Sequence, residues 1–114
     1  MKIGLAQINT TVGDINGNRD LVLQSLGKAR DLGADIAVFP ELCLTGYPPR
    51  DLLGLHGFVE ANIRAVEEIA AHSGSMGVVV GFVDWNPLRE GRDFCNAAAF
   101  LAEGRIQAIV HKTL

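Results

Sequence analysis

The stretch Gly33-Ala34-Asp35-Ile36-Ala37-Val38-Phe39-Pro40-Glu41-Leu42 sets the fold. Asp35 to Phe39 is a short apolar run, the pattern of a buried strand. Pro40 lacks an N–H and ends the ladder. Gly33 suits the left-handed position that closes a preceding helix. Upstream, residues 19–32 predict that helix, with Val22, Leu26 and Ala29 on one face at i, i+4 and i+7. Asn16 or Asn18 is the candidate cap, because a side-chain oxygen there can accept an orphan backbone N–H. Residues 10–18, with Gly13, Asp14 and Gly17, read as a loop. Lys2 to Asn9 alternates with period two and reads as a first strand. Strand, helix and strand make a βαβ unit.

Downstream, residues 40–51 form a loop where the second strand leaves the sheet. Ligands of parallel sheets bind outside such carboxyl ends, so chemistry is expected here. A second helix runs over roughly residues 55–72, with Val59, Ile63, Val66 and Ala70 as its stripe and Ser73-Gly74-Ser75 after it. Residues 76–83 are a continuous apolar strand, buried on both faces. A polar loop with Pro87 and Gly91 follows. Residues 94–101 and 105–111 read as two strands, and the short Glu103-Gly104 turn predicts an antiparallel hairpin. Glu-Gly is a weaker hairpin signal than Asn-Gly. The class is therefore α/β. Two helices can cover one face of such a sheet. The other face is an exposed apolar patch unless more chain or another subunit packs on it. With Thr113-Leu114 directly after a strand, residues 1–114 are expected to be the front part of a larger domain.

The composition narrows the function. The 114 residues carry 13 acidic and 10 basic side chains, net −3, with 48% hydrophobic residues. That is too apolar for disorder. Its mild acidity and its lack of a Lys/Arg cluster argue against a nucleic-acid binder. The apolar runs fall short of the roughly 18 residues of a membrane span, and no signal-peptide pattern opens the chain. Two cysteines make neither a disulfide framework nor a zinc site, so a reducing, cytoplasmic setting is expected. No Gly-rich dinucleotide or phosphate-loop motif appears.

Few residues offer chemistry. Glu41, behind a buried strand and Pro40, is either a general base with its pKa raised by burial or a carboxylate that accepts loop N–H bonds. Lys112 is a cation aimed at a developing oxyanion or an ordinary surface lysine. Tyr47 lines a pocket or packs in a Gly-Tyr-Pro turn that Pro48 and Pro49 stiffen. Cys43 and Cys95 lack a flanking base and read as core residues. His56, His72 and His111 lack metal-ligand spacing and read as surface or helix residues. Arg50-Asp51 reads as the polar start of a helix.

Together these pieces resemble the nitrilase (carbon–nitrogen hydrolase) superfamily. The resemblance covers essentially the whole chain. It rests on Lys2-Ile3-Gly4-Leu5-Ala6-Gln7, the stretch from Gly33 to Leu42, and His111-Lys112-Thr113-Leu114. A narrower likeness lies in Leu44-Thr45-Gly46-Tyr47-Pro48-Pro49-Arg50-Asp51-Leu52-Leu53, which is similar to the glutaminase domain of glutamine-dependent NAD synthetases.

The superfamily resemblance implies a four-layer α-β-β-α sandwich, of which this chain would be the first half, and a Glu–Lys–Cys triad. Glu41 would be the general base. Lys112, 71 positions later, would stabilise the tetrahedral intermediate. Tyr47 would line the glutamine pocket. The nucleophilic cysteine would lie beyond Leu114, so the chain by itself is expected to be inactive. The narrower likeness implies ammonia delivery to a C-terminal synthetase domain. There ATP and magnesium would convert nicotinic acid adenine dinucleotide to NAD. No cofactor is expected in residues 1–114, no metal site, and no nucleic-acid or membrane partner. A homo-oligomer is expected at full length. The nearest rival is a stand-alone nitrilase-superfamily amidase or carbamoylase. A non-catalytic α/β binding module fits less well, because such modules alternate strand and helix to the end. A truncated, inactive product is the remaining reading.

Overall fold

The computed structural model describes residues 1–47, 49–55, 57–87 and 94–112. Pro48, His56, Gly91 and the Thr113-Leu114 pair lie outside the described residues, as do the side chains of Arg50 and Asp51. The chain runs β1 (Ile3–Leu5), α1 (Ile15–Asp31), β2 (Ile36–Val38), a 3-10 turn (Arg50–Gly54), α2 (Phe58–Ala71), β3 (Gly77–Trp85), β4 (Phe94–Ala102) and β5 (Arg105–His111). The strands form one sheet in sequence order. β1, β2 and β3 are parallel; β3, β4 and β5 are antiparallel neighbours.

β1 is shorter than the predicted strand over residues 2–9. It is an edge strand whose one partner, β2, stops before Pro40, so the ladder ends at the Ala6 N–H, which donates to the Val38 carbonyl at 2.9 Å. α1 starts earlier than predicted, and Asp14 caps it rather than Asn16 or Asn18. The Asp14 carboxylate accepts the Gly17 N–H at 3.0 Å. Asn18 is instead fully enclosed. It accepts the Thr11 N–H at 2.9 Å and donates to the carbonyls of Thr11 at 2.9 Å and Leu44 at 3.0 Å. Gly33 follows α1 at φ +76°, as expected. α2 begins at Phe58, after Gly57 at φ +80°.

Both helices pack on the same sheet face. Val22 and Leu26 of α1 and Val66 and Ile69 of α2 meet Val78, Val80 and Phe82 of β3 in one core. Each of these seven is at most 2% exposed. The hairpin between β4 and β5 forms as expected, and Glu103 and Gly104 both take positive φ, 53° and 83°. That is the primed-turn geometry, unfavourable for a glutamate. Contacts from the turn after α2 hold it: the Glu103 N–H donates to the Gly74 carbonyl at 2.8 Å, and the Gly104 N–H to the Ser73 hydroxyl at 3.0 Å.

The opposite sheet face has no helix on it among the described residues. Pairing places Ile3, Leu5, Phe100 and Val110 there, and they are 55%, 75%, 38% and 67% exposed. One helix layer on one sheet layer is the arrangement expected of the first half of an α-β-β-α sandwich. Among the described residues no helix is long and apolar enough to cross a membrane.

Candidate active site

Glu41 sits in the turn that leaves β2. This turn lies against β3 at Gly81, whose carbonyl accepts the Leu44 N–H at 3.4 Å and the Cys43 thiol at 3.5 Å. The approach requires glycine. A Cβ at residue 81 would stand 2.5 Å from the Leu42 nitrogen and 2.7 Å from the Pro40 oxygen. The buried Asn18 amide holds the same loop from the other side, through the Leu44 carbonyl. Leu42 takes φ 50°, a left-handed conformation unusual for a leucine.

Lys112 follows β5. Its N–H donates to the Asn96 carbonyl of β4 at 2.8 Å, and its ammonium donates to Glu41 Oε1 at 3.1 Å. Asn96 Nδ2 donates to the same Oε1. Among the described residues Oε2 has no hydrogen-bond partner. Pro40, Glu41, Val79, Asn96, Val110 and Lys112 line an open groove on the uncovered sheet face. His111, one residue earlier, points to the other face, where its Nε2 pairs with Asp84 Oδ2 at 2.8 Å.

This geometry corrects the electrostatic expectation for Glu41. Its side chain is 50% exposed, and its pKa lies below the usual carboxylate value, not above it. The Lys112 hydrogen bond is the main cause; Lys112's charge and the Asn96 hydrogen bond add to it, and partial burial opposes it. His111 is an exposed residue, as expected, but it lies on a strand rather than a helix, and it pairs across the sheet with Asp84.

The structure brings Glu41 and Lys112 together and leaves the other candidates apart. Tyr47 is 68% exposed and does not line the groove; it does not pack as a core residue either. Cys43 is buried, and burial pushes its thiol up to about 11. Cys95 is half-buried, and burial and the Asp84 charge also raise its pKa. Both thiols are thus poor nucleophiles at neutral pH. His72 ends α2, its Nδ1 2.9 Å from the Glu68 carbonyl. No three His, Cys, Asp or Glu side chains among the described residues converge as a metal-ligand set. Sequence reasoning missed Asn96. Its one local signal is a polar residue within the apolar strand Phe94-Cys95-Asn96-Ala97-Ala98-Ala99-Phe100. What remains is a carboxylate, an ammonium and an amide around one oxygen, on an apolar floor. Such a set can accept a proton at Oε2 and hold a negative oxygen near Nζ.

Comparison with known proteins places the chain in a family. A glutamine-dependent NAD(+) synthetase from Thermotoga maritima is 39% identical over 98% of this chain, which spans 19% of that protein. The chain thus spans about a fifth of the length of the curated relatives it matches. A crystal structure of a glutamine-dependent NAD(+) synthetase from Cytophaga hutchinsonii superposes with a TM-score of 0.88 at 27% identity, over 98% of this chain and 19% of that one. A mutant of an amidase from Nesterenkonia AN1, of the nitrilase superfamily, superposes at 0.82 and 25% identity, over all of this chain and 44% of that one. The fold is therefore the nitrilase-type α/β fold. The carbon–nitrogen hydrolase family matches residues 2–114, and the chain belongs to that family.

Proposed function

We propose that residues 1–114 are the N-terminal portion of the glutaminase domain of a glutamine-dependent NAD synthetase. They supply the general base, Glu41, and the cationic stabiliser, Lys112. The observation that carries this reading is the 3.1 Å contact between these two side chains on the uncovered sheet face, beside the groove. The high coverage by glutamine-dependent NAD(+) synthetases supports the substrate, glutamine, and a further synthetase domain.

In this proposal a cysteine from further chain is the nucleophile, because Cys43 and Cys95 lie outside the groove with raised pKa values. Glu41 Oε2 accepts the thiol proton, and the thiolate attacks the side-chain carbonyl carbon of glutamine. Lys112 stabilises the oxyanion. The tetrahedral intermediate collapses to a thioester, and ammonia leaves with the proton that Glu41 returns. Water, deprotonated by Glu41, then attacks the thioester carbon; the C–S bond breaks, glutamate is released, and the thiolate takes the proton back from Glu41. ATP and magnesium belong to the synthetase domain, which would convert nicotinic acid adenine dinucleotide to NAD with the ammonia. No step on the present residues runs through them. Tyr47 has no part in this scheme, since it stands outside the groove.

The test is Glu41→Gln in the full-length protein. Glutamine-dependent NAD synthesis should be abolished while ammonia-dependent synthesis stays near the unmodified rate. Loss of both in a folded protein would remove Glu41 from the glutaminase role. The likeness to the Nesterenkonia amidase supports a second reading, a stand-alone amidase. Amide hydrolysis without any ammonia-dependent NAD synthesis would favour it.

A further inference from the structure

We infer that Asn96 is a positioning residue that fixes which oxygen of Glu41 acts as the base. The inference rests on the glutaminase reading above. Asn96 touches both members of the pair. Its backbone carbonyl accepts the Lys112 N–H at 2.8 Å, which sets where the lysine leaves β5. Its side-chain amide donates to Glu41 Oε1, the oxygen that also takes the Lys112 ammonium. With two donors on Oε1, the proton-accepting lone pairs left to the groove are those of Oε2. A carboxylate held by one donor can rotate and exchange its oxygens. Two donors on one oxygen, one on β4 and one just after β5, oppose that exchange.

The site's surroundings isolate this role. On the groove side Lys112 is the charged group in contact with Glu41 among the described residues. The other nearby titratable side chains, Asp84 and His111, pair with each other at 2.8 Å on the opposite sheet face. Asn96 opposes Val83 in the β3–β4 ladder, so it stands among backbone bonds that do not depend on its amide. Replacing the side chain therefore removes the donor and leaves the strand.

The experiment uses Asn96→Ala and the isosteric Asn96→Asp in the full-length protein. Each is assayed for glutamine-dependent and ammonia-dependent NAD synthesis across pH. Asn96→Ala is expected to lower kcat for glutamine by about ten- to a hundredfold, the range for a lost hydrogen bond to a charged group, with little change in KM. Its acid limb should move to higher pH. Glu41 must be deprotonated to act, and losing a donor to the carboxylate raises its pKa, so activity fails earlier as pH falls. Asn96→Asp should shift the limb further, since it adds a negative charge. Ammonia-dependent synthesis should persist in both variants. Unchanged kcat and pH profiles beside an inactive Glu41→Gln would overturn the role of Asn96 alone. An active Glu41→Gln would overturn the glutaminase reading and this inference with it. Loss of both activities in both variants would make Asn96 a structural residue and overturn the assignment.

Discussion

The two faces of one sheet differ sharply. Under the helices, Val78, Val80, Phe82, Ala99 and Leu101 are almost wholly enclosed. On the other face, the sheet shows Leu5 of β1, Phe100 of β4 and Val110 of β5 to solvent, along with the Glu41–Lys112 pair. Alternation explains how one strand serves both, because neighbouring side chains point to opposite sides. The covered face supplies stability. The uncovered face carries the polar groups, held in place by contacts that begin in the covered core. Asn18 and Gly81 are the links: one reaches from α1 to the Glu41 loop, the other lets that loop lie on β3.

Substitutions on each face sharpen the contrast. Leu26→Ala on the covered face should destabilise by about 2–5 kcal/mol, measured by urea unfolding, because it leaves a cavity with little room to collapse. Gly81→Ala acts at the link. Its Cβ would press on Leu42 and Pro40, so Glu41 must shift, and the rate with glutamine should fall by about a hundredfold. A normal rate would mean the loop adapts freely. Val110→Ala on the uncovered face should change stability by no more than about 0.5 kcal/mol. A loss as large as that of Leu26→Ala would show this face covered in solution and would break the contrast.

The sequence exposed the elements better than the meetings between them. Apolar runs gave β3 and β4 to within two residues and β5 to its bounds, because period and turn chemistry are local. β1 was overestimated, because its length is set by a partner strand that ends at Pro40. The cap of α1 fell to Asp14 while Asn18 turned inward, and residue type alone does not separate a cap from a buried bridge. At the site, Glu41 and Lys112 were singled out by position and resemblance. The environment of Glu41 was not legible: burial was expected, and the carboxylate lies half open beside an ammonium. Asn96 acts through partners 55 and 16 positions away in sequence, which no local pattern records.

The strand order has a consequence for biosynthesis. Every strand lies beside its neighbour in sequence, so each strand after the first meets a partner that has already been made. Such a sheet can grow strand by strand as the polypeptide leaves the ribosome, over roughly ten seconds at typical elongation rates. The core between α1 and α2 can close before β5 exists. Glu41 is then in place early, and Lys112 reaches it last. The meeting of these two side chains marks the moment when this stretch of chain is fully assembled.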